Sequence, residues 1–273
     1  MPSAAPTFVL VHGAFANSFS LAPLQAELAL RGHRSLAVDL PGHGFEATFP
    51  AAYQAPQDAA GLATTPGAIK GVTLADNAAR VIETLERVRE HGPVILVGHS
   101  RGGVTVTAVA NARPDLVDRM VYVSAWAPVE LDAAAYNAEP EMASFDPAPL
   151  IRAAAANPAD VGLLRCNFRT ADPDLLAGLK HSFLATFQPD ENLDGGGPDD
   201  RAQAATWGTV PRTYVRLSED VSMPVAMQDR LIREADALTP DNPYEVRTLR
   251  SSHLGWLVRP APAAELLAEI AAR

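Results

Sequence analysis

The chain has 273 residues, 48% of them hydrophobic, and a formal net charge of −10, which is length enough for one large or two small domains that bury roughly three quarters of the unfolded surface. That charge repels a phosphate backbone and an anionic bilayer, so neither nucleic acid nor membrane is an expected partner. The single cysteine, Cys166, cannot form an internal disulfide, and no basic n-region precedes the short apolar stretch from Phe8 to Val11; both features predict a cytoplasmic protein made for a reducing compartment.

In chain order, residues 7–12 read as a strand running into the loop His12-Gly13-Ala14-Phe15. Gly13 lets that loop turn closely and presents the Ala14 amide as a donor, with Phe15 beside it as a candidate to line a substrate site. Residues 21–30 read as a helix, because Leu21, Leu24 and Leu28 share one face before Gly32 ends it. Residues 35–39 form the next strand, closed by Leu40-Pro41-Gly42-His43-Gly44. The stretch 45–72, rich in Ala, Pro, Gly and Thr, is too long for an ordinary connection and reads as an active-site loop or an irregular excursion. Residues 74–90 return to helix behind a capping box, Thr73-Leu74-Ala75-Asp76.

The most informative stretch follows. Residues 94–97, opened by Gly92-Pro93, are an apolar strand; Gly98, Ser100 and Gly102 then make a G-x-S-x-G turn, and residues 104–112 continue as a helix closed by Pro114. Strand, turn and helix in this order present the serine at a strained apex, which nominates Ser100 as a nucleophile. A tetrahedral intermediate on that serine needs backbone N–H donors. Arg101, opening the helix, supplies one with the helix dipole behind it, and Ala14 supplies the other. The Arg101 side chain either pairs with a carboxylate or meets an anionic substrate.

Residues 117–124 are another strand. Residues 128–210 interrupt the alternation and read as a helical cap inserted after the strand that ends near Ser124. Phe183 and Trp207, with Leu179 and Phe187, are its candidates for lining a pocket, although apolar residues at helical spacing more often only pack. The acidic residues Asp190, Glu191, Asp194, Asp199 and Asp200 lack the ordered ligand spacing of a calcium loop and read as a solvated turn. No metal and no organic cofactor is expected.

Residues 212–217 form a strand followed directly by Glu219 and Asp220. Either carboxylate can orient a histidine base, but adjacent residues point apart, and Asp220 is preferred over Glu219. Residues 225–237 are helical and 244–249 extended. His253 falls in the loop after that last strand, ahead of a helix at 263–272, and is the expected base in the chain order Ser, acid, His. His12, His43 and His99 sit at strand ends or in a glycine-rich turn, where bonding to backbone is expected instead. Strand and helix alternate throughout, which predicts an α/β fold with helices on both faces of a mostly parallel sheet and functional groups at the strands' C-terminal ends.

Val9-Leu10-Val11-His12-Gly13-Ala14, Val97-Gly98-His99-Ser100-Arg101-Gly102-Gly103, Ser218-Glu219-Asp220-Val221-Ser222-Met223-Pro224 and Ser252-His253-Leu254 together resemble the α/β-hydrolase superfamily. The likeness is strongest to the methylesterase and hydroxynitrile lyase branch, with its bacterial carboxylesterases of the pyrethroid-hydrolase kind. It implies an α/β-hydrolase core at 1–127 and 211–273 and a cap at 128–210. It also implies a Ser100, Asp220, His253 triad and oxyanion donors at Ala14 and Arg101. Where that branch carries an aliphatic residue after the nucleophile, this chain has Arg101. Its lyases carry a lysine after the histidine, whereas Leu254 stands here and cannot stabilise a departing anion. The expected activity is therefore hydrolysis of a small, largely apolar carboxylic ester or lactone through an acyl-enzyme. A lyase or cofactor-free non-hydrolytic enzyme using the same three residues, and a small-ligand receptor, are the rivals. The acyl and alcohol groups, and whether the chain pairs as a homodimer, are left open by the sequence.

Overall fold

The computed structural model describes residues 5–47, 58, 68–145 and 201–273. The elements in chain order are β1 (Thr7–Val11), α1 (Ala22–Leu30), β2 (Arg34–Val38), α2 (Leu74–Arg89), β3 (Val94–Ser100), α3 (Gly102–Ala112), β4 (Arg119–Ala125), α4 (Ala133–Tyr136), β5 (Arg212–Leu217), α5 (Val225–Leu238), β6 (Glu245–Leu249), α6 (Gly255–Val258) and α7 (Ala261–Ala271). The six strands form one sheet in the order β2-β1-β3-β4-β5-β6, every neighbouring pair parallel.

A parallel sheet of this kind is covered on both faces, which is why β1 and β3 are apolar without alternation. Their side chains still divide by pleat. Val9, Val11, Val94, Leu96, Met120, Tyr122 and Tyr214 face one way and pack with Val81 and Leu85 of α2, Val106 and Val109 of α3, and Ile232 and Ala235 of α5. Phe8, Leu10, Ile95, Val97, Val121, Val123 and Val215 face the other way, against Leu24 and Leu28 of α1, Trp256 of α6, and Ala264, Leu267 and Ile270 of α7.

Several boundaries differ from expectation for local reasons. The helix expected at 21–30 begins earlier, as a 3-10 turn at Ser18–Leu21 that Asn17 caps by accepting the Phe19 N–H through its side chain. β3 runs past Val97 to Ser100 because its ladder with β4 continues through Gly98 and His99. The capping box at the start of α2 forms as read, with Thr73 and Asp76 bonded reciprocally. Most of the stretch 45–72 and of the expected cap, including residues 146–200 with Leu179, Phe183, Phe187 and the acidic run, lies outside the described residues.

The strand order places the site. The chain passes from β1 outward to β2, then returns to lay β3 on the other side of β1. Loops leaving the C-terminal ends of β1 and β3 therefore lead to helices on opposite faces of the sheet, and a site is expected where they part. The loop at Gly13 and the turn at Ser100 are those two loops.

Candidate active site

Ser100 ends β3 with φ +53°, a left-handed conformation uncommon for a residue with a side chain. Close packing around it explains the neighbouring glycines. A Cβ on Gly102 would stand 2.6 Å from the His12 carbonyl oxygen, and one on Gly98 would stand 2.8 Å from Val106 Cγ2. A Cβ on Gly13 would stand 2.9 Å from Ser100 Cβ, so the loop after β1 lies directly on the nucleophile turn.

His12 orients that loop. Its Nε2 accepts the Leu40 N–H at 3.3 Å, which leaves the proton on Nδ1 to donate to the Gly13 carbonyl at 2.9 Å. In a trans peptide the N–H opposes the carbonyl, so the Ala14 N–H is directed away from His12. Arg101 stands at the N-cap of α3, where the first helix N–H groups point out along the axis and favour negative charge. Phe15 is buried, with φ +57° in the turn that follows.

Asp220 and His253 meet. His253 Nδ1 donates to Asp220 Oδ2 at 2.6 Å, leaving Nε2 as the basic nitrogen. Asp220 Oδ1 accepts the Ser222 and Met223 N–H groups at 2.8 and 2.9 Å, and the side chain is fully buried. The choice between the two acids is resolved by direction: Glu219 turns outward and pairs with Arg250 at the surface.

Two groups fix the His253 loop: His99, expected to bond to backbone, and Trp256, which the sequence reading did not include. His99 Nε2 donates to the His253 carbonyl at 3.0 Å, and Trp256 Nε1 donates to the same oxygen at 3.1 Å. The His99 and His253 ring centroids are 4.6 Å apart, which brings the His253 imidazole to the C-terminal end of β3, beside the residue that precedes Ser100. Ser100 Oγ and His253 Nε2 share no hydrogen bond in this structure; contacts of this type commonly tighten around bound substrate. A further unforeseen group is Ser124, whose hydroxyl donates to Asp220 Oδ2 at 2.6 Å. Sequence separations of 96 and 154 residues hide these bonds from any local pattern.

His99 is kept neutral. Full burial pushes its pKa well below the usual 6.5, and the neighbouring His253 pushes the same way. An unfolded chain takes up that proton below about pH 6.5, so this contribution to stability is complete above that pH and is lost on acidification. We expect wild type to lose about 1.4 kcal/mol per pH unit from this group below pH 6.5. In urea denaturation at pH 7.5 and 5.5, His99→Gln is expected to lose less stability than wild type. An equal loss in both would assign the acid sensitivity elsewhere.

Trp207, expected to line a pocket, is corrected by the structure. Its indole is wholly buried in the core, its Nε1 donates to Tyr122 at 2.8 Å, and the Arg212 guanidinium lies 3.9 Å over its ring. Arg212 opens β5, so Trp207 packs toward the rim opposite Ser100. Phe183, the other candidate in the cap, lies outside the described residues. Among the described residues no group of three or more His, Cys, Asp or Glu converges to hold a metal, and no helix is long and apolar enough to cross a membrane.

A parallel sheet that gathers the Ser100 turn, Asp220 and His253 at one C-terminal edge has the arrangement of the α/β-hydrolase class. The chain belongs to the alpha/beta hydrolase family, which it matches over residues 8–268. It is 26% identical to a pyrethroid hydrolase of Sphingobium wenxiniae, over 96% of this chain and 86% of that one. It is 24% identical to methylesterase 10 of Arabidopsis thaliana, over 97% and 92%. The crystal structure of a pyrethroid hydrolase superposes with a TM-score of 0.69 at 22% identity, covering 97% of each chain.

Proposed function

We propose that the protein is a serine hydrolase that cleaves a small, largely apolar carboxylic ester or lactone through an acyl-enzyme on Ser100. The observation that carries this reading is the buried Asp220–His253 pair, standing beside a serine held in a left-handed turn. His253 Nε2 takes the Ser100 proton as Oγ attacks the acyl carbon, and Asp220 stabilises the imidazolium without taking the proton itself. The oxyanion is met by the Ala14 and Arg101 N–H groups. His253 returns its proton to the leaving alkoxide, then activates the water that releases the acid from Ser100. Phe15, buried beside the Ala14 donor, lines the substrate side of this edge. Leu254, beside His253, has no charge with which to hold a departing anion, which favours hydrolysis over lyase chemistry.

The test uses p-nitrophenyl butyrate and a fluorophosphonate. We expect a burst of nitrophenol close to one equivalent, with the phosphonate attached to Ser100. Absence of both the burst and the label would overturn the acyl-enzyme reading.

A further inference from the structure

β3 and β4 pair in step from Ile95 with Arg119 to His99 with Val123, after which Ser100 pairs with Ala125. Ser124 is therefore an extra residue on β4, a β-bulge at the strand's C-terminal end. Bulges re-aim a side chain, and here the extra residue turns to φ +39°. Glycine adopts that conformation at lower cost than any residue with a Cβ, yet serine occupies it.

The bulge is held on both sides. The β4–β5 ladder ends at Val123 with Val215, and beyond it the Tyr214 phenol takes over the backbone of Ala125, accepting its N–H at 3.2 Å and donating to its carbonyl at 3.0 Å. On the other side the Trp126 N–H donates to the Ser100 carbonyl at 3.0 Å. So clamped, the fully buried Ser124 hydroxyl reaches Asp220 Oδ2 at 2.6 Å, the same oxygen that accepts His253 Nδ1. The four donors on the carboxylate are then Ser124 and His253 on one oxygen and the Ser222 and Met223 N–H groups on the other.

We propose that Ser124 is a positioning residue of the reaction: its hydroxyl fixes the rotation of the Asp220 carboxylate and draws charge from the oxygen facing the imidazole, and so sets the basicity of His253. This rests on the triad reading above. Among the described residues, His99 and Tyr214 are the other titratable groups that face the pair. His99 is held neutral by burial, and Tyr214 is held protonated by burial, so neither changes charge across the working range. Glu219, next in sequence, is turned to Arg250.

Without the hydroxyl, Asp220 Oδ2 carries more charge toward the ring, and the imidazolium gains stability. The acid limb of kcat/KM, which reports the free histidine, then moves to higher pH. Ser124→Ala keeps the Cβ and the strain but removes the donor; Ser124→Gly removes the donor and relieves the strain. For both we expect kcat for p-nitrophenyl butyrate at pH 8 to fall about tenfold, KM to stay within about twofold, and the acid limb to rise by about 0.5–1 pH unit. The glycine variant is expected to melt above the alanine variant, which separates strain from positioning. Should Ser124→Ala fail to fold, Ser124→Gly carries the measurement. An acid limb unmoved in the folded variants overturns the proposal whatever happens to kcat, and so does failure of both to fold. Phosphonate labelling of Ser100 in the wild type is run alongside: missing label defeats the triad reading itself, whereas label with an unmoved limb defeats only the role of Ser124.

Discussion

Ser100→Ala is expected to lower kcat for p-nitrophenyl butyrate by about 10⁵–10⁶ while leaving the fold in place. Alanine keeps a Cβ at φ +53°, so the substitution neither adds nor relieves backbone strain, and the contact with the Gly13 loop survives. What disappears is the hydroxyl proposed to attack the ester. His253 and the two amide donors remain, and together they leave a residual rate about 10³–10⁴ above that of water. Measured kcat, with circular dichroism melting as the control for folding, checks this. A variant retaining a tenth of wild-type turnover would mean that attack comes from another group or from water directly. A comparable fall in melting temperature would make Ser100 a structural residue.

The features legible in the sequence are those that short-range physics dictates. Apolar runs between glycine and proline mark β1 and β3, and the Gly98, Ser100, Gly102 spacing locates the turn, because strand and helix approach too closely there for side chains. The Thr73 capping box is equally local. Asp220 and His253 follow from their places after β5 and β6, and the structure brings the two together. What escaped the sequence depends on the sheet being assembled. Ser124 reads as an ordinary strand-end serine until the bulge against β3 turns it, and His99 finds the His253 carbonyl only across the completed fold. Trp207 misled because a tryptophan in an irregular stretch fits a pocket wall and a core equally well. Its partner Arg212 lies beyond a turn and reveals the core role only in three dimensions.

Asp220→Asn tests the other half of the mechanism, and the surrounding donors dictate how the amide must sit. The Ser222 and Met223 N–H groups point at Oδ1, so the asparagine carbonyl oxygen takes that place and its NH2 group takes the place of Oδ2. That NH2 faces His253 Nδ1, which must then accept, moving the ring proton to Nε2 on the side of Ser100. The imidazole is left in place but in the wrong tautomer, and kcat at neutral pH is expected to fall about 10⁴-fold. A fall of less than tenfold would show that Asp220 does not govern the His253 tautomer. Combining the two substitutions isolates the route by which Ser124 acts. If its hydroxyl works through the carboxylate, adding Ser124→Ala to Asp220→Asn lowers kcat by less than about twofold beyond the single asparagine variant, because the group it acts on is already lost. A further tenfold loss would instead place Ser124 in independent contact with the reaction.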